Sequence, residues 1–548
     1  MDALFAAHRA LLDDAVAATQ ARGHWSAFSE SPRSYDAAAA PEAEAAFAAL
    51  LNQPFALDQP SDGSGIGAET SPFGPALGIS YPHADPVTLI AAARQAGERW
   101  AAAPVETRAG IAVEILVRLN RASFLIARSV EHTTGQAGPM AFQAGGPHAQ
   151  DRGLEAVAYA YAELARIPGH VRWEKPAGRS VIKLDKEFHI VPRGIGLVIG
   201  CATFPTWNSY PAIFADLVTG NAVIVKPHPA AILPLALTVR IARTVLAEQG
   251  FDPNTILLAA DSAEAPITRR LATDPAIGIV DFTGSPAFGQ WLRDAVRGKP
   301  LFTEEAGVNT IVIDSTDAFA AMCQNIAFSL SLYSGQMCTA PQSIFVPASG
   351  IATDEGHKTF EEVAAGIAGA VGALLADPAR AAGVLGAIQN PLTLTRIADA
   401  RGLGRIVRDS AALPGTAART ATPLILAVRA EEETAYMQER FGPISFVIAT
   451  AGSAESVALA TRCAREHGAI SAALYSTDAA LTAHAALAHA RAGVALSVNL
   501  TGGIYVNQSA AFSDYHVSGA NPAGNACLTD AAFVTGRFNV VGVRRPAS

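Results

Sequence analysis

At 548 residues the chain is too long for one ordinary domain and predicts about two to four. Half of it is hydrophobic and only 16% is charged, which excludes a disordered or acidic-tail protein. A net charge of −9, from 49 acidic and 40 basic residues, argues against nucleic acid or an anionic membrane as the main partner.

Residues 1–20 carry Asp2, His8, Arg9, Asp13 and Asp14, which predicts an amphipathic surface helix and not a signal peptide. Residues 21–85 are rich in Pro, Gly, Ser and Ala, with turn signals such as Pro60-Ser-Asp-Gly-Ser-Gly-Ile-Gly67. They read as an irregular N-terminal extension. From Pro86 to Ile167 the pattern is helical: Ile115, Leu119, Ala122 and Ile126 share a face, with Arg118, Arg121 and Arg128 between them. The stretch 180–191 has β character. Short apolar runs at 195–199, 222–225, 255–258, 277–282 and 310–313 then read as buried strands. Helical segments alternate with them; in one, Leu235, Val239, Ala242 and Leu246 form a single stripe. Such alternation predicts parallel βαβ units. A second α/β block follows, with strands at 343–346, 444–448, 470–475 and 494–498 and helices near 358–375, 453–467 and 478–489. The tail 538–543 is again β-like. It and 180–191 would pair across subunits or form a solvent-facing hairpin. The run 194–205 is too short to span a bilayer. The five cysteines, Cys201, Cys323, Cys338, Cys463 and Cys527, are odd in number with no CxxC spacing. Neither a disulfide framework nor a metal site is expected, and a reducing cytoplasm fits best.

No G-x-G-x-x-G fingerprint or P-loop occurs. The turn Phe282-Thr-Gly-Ser285 follows a strand and opens a helix; Gly284 and Ser285 there could meet an anion, or Ser285 could simply cap the helix. Lys226 ends a strand, where α/β sheets bind ligands, although a solvated strand end looks the same. Cys338 lies in the irregular segment Ser334-Gly-Gln-Met-Cys-Thr-Ala-Pro341, a better place for a nucleophile than a core cysteine has. Glu304 and Glu305 precede a buried strand and could supply a general base; alternatively one of them is exposed and inert.

Lys226-Pro, Phe282-Thr-Gly-Ser285, Glu304-Glu-Ala-Gly307, Gly335-Gln-Met-Cys338 and Glu439-Arg-Phe-Gly-Pro443 stand in the order found in the aldehyde dehydrogenase superfamily, and the interval from Glu304 to Cys338 matches it. Phe512-Ser-Asp-Tyr-His-Val-Ser-Gly519 is similar to that family's Phe-Gly-Gly-Tyr-Lys-x-Ser-Gly segment. The chain resembles this superfamily over residues 85–545. Within it the chain looks most like the PaaN branch of phenylacetic acid degradation, through His132-Thr-Thr-Gly-Gln136, Ala144-Gly-Gly-Pro-His-Ala-Gln-Asp151, Thr203-Phe-Pro-Thr-Trp-Asn208, Val506-Asn-Gln-Ser-Ala-Ala-Phe512 and the N-terminal extension.

The resemblance implies an α/β, aldehyde dehydrogenase-like fold: two α/β domains with parallel-type sheets plus a β oligomerisation element. Its parts would be an extension (1–85), a dinucleotide-binding domain (86–305, with excursion strands 175–191), a catalytic domain (306–500) and a return segment with an oligomerisation tail (501–548). It implies Cys338 as the thiolate that attacks an aldehyde, and Glu304 as the base that hydrolyses the resulting thioester. Glu304 is favoured over Glu305 because Gly307 and Asn309 set the register. It implies Lys226, Gly284, Ser285, Glu439 and Phe441 as the cofactor's contacts. Thr203 stands where the family has an Asn oxyanion donor, with Asn208 a possible substitute. Pro229 stands where NAD-preferring members often carry Glu, which leads to an expectation of NADP, with NAD possible. The implied substrate is a CoA-linked aldehyde, 3-oxo-5,6-dehydrosuberyl-CoA semialdehyde. A separate ring-opening hydrolase is expected in the pathway, since the chain stops at Ser548 without a hydratase domain. A homodimer or dimer of dimers is implied. A CoA-acylating dehydrogenase and a non-catalytic scaffold on the same fold stand as alternatives.

Overall fold

The computed structural model describes residues 3–305 and 307–547. The first sheet has five strands, all parallel, in the order Ile256–Leu258, Ala222–Lys226, Ile195–Ile199, Ile277–Gly284, Leu301–Glu305. Its central strand comes first in the chain, and the later strands are laid down on one side and then on the other. That order makes a topological switch point, so a crevice opens beyond the carboxyl ends of the strands. Register brings Ile199 beside both Lys226 and Phe282, and Thr283 beside Glu304. The strand ends therefore deliver Gly200–Phe204, Lys226, Gly284 and Glu304 to one rim.

Leu301–Glu305 was not among the expected strands. It is half polar, yet Thr303, Glu304 and Glu305 are all buried. One edge pairs with Ile277–Gly284; the other meets the return segment, where Glu305 N donates to Ala523 O at 2.6 Å.

The second sheet has seven strands in the order Arg405–Arg408, Leu424–Arg429, Ile444–Thr450, Pro341–Pro347, Asn309–Ile313, Ser471–Tyr475, Ala495–Val498. Six are parallel and the outer Arg405–Arg408 is antiparallel. The segment holding Cys338 connects the helix Phe319–Ser331 to Pro341–Pro347 and faces the rim of the first sheet. A third, antiparallel sheet joins Phe538–Pro546, Ser180–Pro192 and His170–Ala177. The tail thus pairs with the excursion strand of its own chain, in a register that sets Val540 beside Ile190.

The tail is anchored by Arg537. Its fully buried guanidinium reaches Asp216 at 2.7 Å and Asp281 at 2.6 Å, and its Nε donates to Phe533 O.

The first helix, Ala3–Ala21, is amphipathic as expected, with Phe5, Leu12 and Ala15 entering the main core. One expectation needs correction. Residues 21–85 are not wholly irregular, since Ala39–Leu50 is a helix that buries Phe47. The extension is also clasped to the first sheet's helical cover. Buried Glu69 accepts from Tyr81 and from the free N–H groups of Ile232 and Leu233, at the start of Leu233–Glu248. A carboxylate there complements the helix dipole. The predicted stripe through Ala122 also breaks at that residue, between Val105–Arg121 and Ser123–Thr134. Among the described residues no single helix is long and apolar enough to cross a membrane.

Candidate active site

A cleft of about 600 Å³ lies between the rim of the first sheet and the Cys338 segment. Thr203, Lys226, Gly284, Ser285, Glu304, Cys338, Glu439 and Phe441, nominated from six separate stretches of sequence, all line it.

At one end, Lys226 Nζ lies 2.7 Å from Asp261 and donates to Pro227 O at 2.6 Å. Burial pulls this ammonium below its ordinary value, against the opposing pull of Asp261. Its charge is therefore already paired. Ser285 caps the helix Pro286–Ala295, accepting from Phe288 N, and leaves first-turn N–H groups at the cleft wall. A side chain on Gly284 would run into the Phe282 ring. Further along, burial pushes Glu439 up to about 7 in spite of the nearby Arg396. Arg396 itself holds the Phe441 carbonyl.

Cys338 is carried on a segment held from several directions. Tyr333 and Ser334 (both φ 51°) and Gly335 (φ 64°) turn the chain out of the preceding helix. A Cβ on Gly335 would meet Gly442 O at 2.6 Å, so this turn and the Glu439–Pro443 segment can approach only through a glycine. Asn309 Nδ2 donates to Cys338 O (2.7 Å) and Ala340 O (3.0 Å), while its Oδ1 accepts from Ile470 N and Ser471 N. Gln336 is tied to Tyr333 O, Ala387 O and Gln389 N and serves the loop.

Glu304 faces the thiol. Its Oε2 accepts from Asn208 Nδ2 at 2.9 Å, its Oε1 meets His516 Nε2 at 3.0 Å, and the Cys338 thiol hydrogen-bonds to the same carboxylate. The reactive atoms of Glu304, Cys338 and His516 all lie within 4.8 Å of one another. These donor types also suit zinc, although all three are already joined by hydrogen bonds. Burial alone would raise the Glu304 carboxyl; His516, Arg152 and the thiol reverse this and hold it below the usual carboxylate range. Burial, and then the Glu304 charge, push the Cys338 thiol well above its ordinary value. Both directions favour a neutral thiol opposite an ionised carboxylate.

Glu305 is neither exposed nor part of this group. It is buried against Arg293, beneath Gly289. Asn208 spends an amide N–H on Glu304, whereas Thr203 Oγ1 lies 4.0 Å from the Cys201 sulfur. Cys201 lines the cleft as well and is no mere core filler. Three site residues escaped the sequence reading: His516, Asp261 and the buried Arg152. His516 carried one signal, since it stands where the family's segment has Lys.

Fold and cleft together point to a dehydrogenase. The family model described as "Aldehyde dehydrogenase family" matches residues 81–527. The chain belongs to the aldehyde dehydrogenase family, and it is an enzyme of that class using a nicotinamide cofactor. A crystal structure of an NAD-dependent aldehyde dehydrogenase from Burkholderia multivorans is similar over the whole of both chains, with 55% identity and a TM-score of 0.98. Among curated proteins, a vanillin dehydrogenase from Pseudomonas fluorescens is 30% identical over 412 residues, 72% of this chain and 77% of that one. An N-succinylglutamate 5-semialdehyde dehydrogenase from Paraburkholderia xenovorans (strain LB400) is 28% identical over 404 residues, with the same coverage of each.

Proposed function

We propose that the protein oxidises an aldehyde to a carboxylic acid, with Cys338 as nucleophile and Glu304 as general base. The observation that carries this reading is the thiol of Cys338 hydrogen-bonded to an ionised, buried Glu304 within the cleft. The sulfur attacks the aldehyde carbon while Glu304 takes the thiol proton, giving a thiohemiacetal. Its oxyanion is met by Thr203 and the backbone N–H of Cys338. A nicotinamide held by Glu439 and Phe441 would supply the hydride acceptor. Cys338 is left as a thioester, and Glu304 removes a proton from the water that hydrolyses it. The cleft fits the cofactor. The capped helix start at Ser285 suits a pyrophosphate, Lys226 and Asp261 suit a ribose, and Glu439 and Phe441 suit the nicotinamide end. A near-ultraviolet assay of reduced cofactor tests the reading: Cys338→Ala should reduce turnover to background, and undiminished turnover would refute it.

On cofactor choice we favour NAD+. The Lys226 ammonium is paired with Asp261, whose negative charge opposes a 2′-phosphate. The Burkholderia multivorans structure is of an NAD-dependent enzyme. Pro229, which leaves room for a phosphate, favours NADP+ as the second reading. Comparing kcat/KM with the two cofactors decides between them.

The substrate we infer is a CoA-linked semialdehyde of phenylacetate catabolism, on the strength of the PaaN-like segments at 132–136, 144–151, 203–208 and 506–512. Hydrolysis and not transfer to CoA is favoured by retention of Glu304. A CoA requirement for turnover would favour the acylating enzyme instead. A homodimer or dimer of dimers is supported by Val181, Ile182, Val540 and Val541, exposed on the third sheet. Light scattering showing a monomer at micromolar concentration would contradict that.

A further inference from the structure

Arg152, on the helix Pro147–Ala165, is 1% exposed, yet Nε, Nη1 and Nη2 all lack a hydrogen-bond partner. A guanidinium has five donors, and buried polar groups in folded proteins are normally satisfied. Its one ionic neighbour is Glu155, 3.5 Å away. That carboxylate spends its hydrogen bond on Arg22, at 2.9 Å, and leaves its other oxygen unbonded. The guanidinium lies over the Trp207 ring at 4.5 Å, and Trp207 meets the His516 ring edge-on at 4.6 Å. Through this stack Arg152 sits close enough to feel the charges of Glu304, Cys527 and Cys338.

Position gives the orphan its meaning. Arg152, Trp207, His516 and Cys527 do not line the cofactor cleft, whereas Cys338 and Glu304 do. The arginine thus lies behind the reacting pair, reached through Trp207, His516 and Glu304. An aldehyde approaching the thiol from that side would bring the rest of its chain toward Arg152. Buried Arg537, by contrast, is bonded through all three of its nitrogens. A cation left with spare donors next to a nucleophile matches an acceptor that arrives with the substrate.

We infer that Arg152 recognises the substrate, taking an oxygen acceptor (a carboxylate or a carbonyl) carried on the aldehyde's own chain. This rests on the reading of Cys338 as nucleophile. It predicts discrimination against plain alkyl aldehydes, because a site built around a buried donor penalises a ligand that leaves it unpaired.

The test compares three series of matched chain length in the full enzyme with cofactor: ω-carboxylate aldehydes (succinic, glutaric and adipic semialdehydes), their methyl esters, and alkyl aldehydes from butanal to hexanal. The wild type should show kcat/KM at least about tenfold higher for the best acceptor-bearing aldehyde than for its alkyl counterpart. Acid well above ester identifies a carboxylate; acid and ester alike identify a carbonyl. Arg152→Met should collapse the ratio toward one, and Arg152→Lys should keep part of it. Loss of all activities in proportion, with the ratio intact, would overturn the inference by showing a structural role. Equal turnover of all three series by the wild type would overturn it with no variant needed. Absence of turnover for every aldehyde would instead bring down the proposed function, and this inference with it.

Discussion

Arg537 and Arg152 are both buried and both lie against aromatic rings, yet one is saturated with hydrogen bonds and the other makes none. Arg537 bonds Asp216, Asp281 and Phe533 O and rests on Phe302 and Phe533. It sits at the root of the tail strand, far in sequence from both aspartates, and ties the third sheet to the first. Arg152 rests on Trp207 behind the reactive thiol, with its nitrogens unbonded. Glu305 and Glu304 repeat the contrast one residue apart: the first is locked to Arg293, while the second faces groups that can exchange a proton with it. In this fold, charge that is completely paired builds the frame, and charge that is incompletely paired marks the chemistry.

Breaking the saturated cluster should have the largest effect on stability. Arg537→Met strands two buried carboxylates and is expected to cost about 3–5 kcal/mol in urea unfolding. The kcat/KM of the folded fraction should not change. On the reactive side, His516→Gln removes a group that keeps Glu304 ionised. Glu304 is held below its ordinary value, so its basic form persists as pH falls until that lowered value is reached. Without His516 the value rises, and the acid limb of kcat should move to higher pH, with rates at the acid end about tenfold lower. Glu439 should give a smaller effect. Pushed up to about 7, it is a carboxylate above that pH and protonates below it. The KM for the cofactor should then rise about 2–10-fold as pH falls through 7, and Glu439→Gln should flatten the profile. The smallest stability change is expected for Arg152→Met, within about 1 kcal/mol of wild type, because it removes an unsatisfied charge. A loss as large as that at Arg537 would erase the contrast.

Most parallel strands from Ile195 onward were legible because fully buried strands read as short apolar runs, although Leu424–Arg429, equally apolar, was missed. Leu301–Glu305 was not legible, since its inner positions are Thr303, Glu304 and Glu305, buried by pairing on both edges and not by hydrophobicity. Arg405–Arg408 is an exposed antiparallel edge that leaves almost no apolar signature. Ala39–Leu50 lay hidden in a stretch whose composition suggests turns. The cleft residues were legible because their order and spacing form a recognisable series. Arg152, Asp261 and His516 lie outside that series, on a helix, beyond a short strand and in the return segment. Only folding brings them to the site, so no local pattern marked them beyond the departure at His516 from the family's segment.

The central claim is that Cys338 carries the acyl group and Glu304 releases it. It is tested most directly by mass spectrometry of acid-quenched Glu304→Gln after mixing with cofactor and a turned-over aldehyde. At a pH high enough to ionise the thiol without Glu304, the account predicts an acyl adduct on Cys338 that builds slowly toward one per chain, with little in the wild type. An unmodified Cys338 in that variant, together with continued turnover by Cys338→Ala, would contradict it.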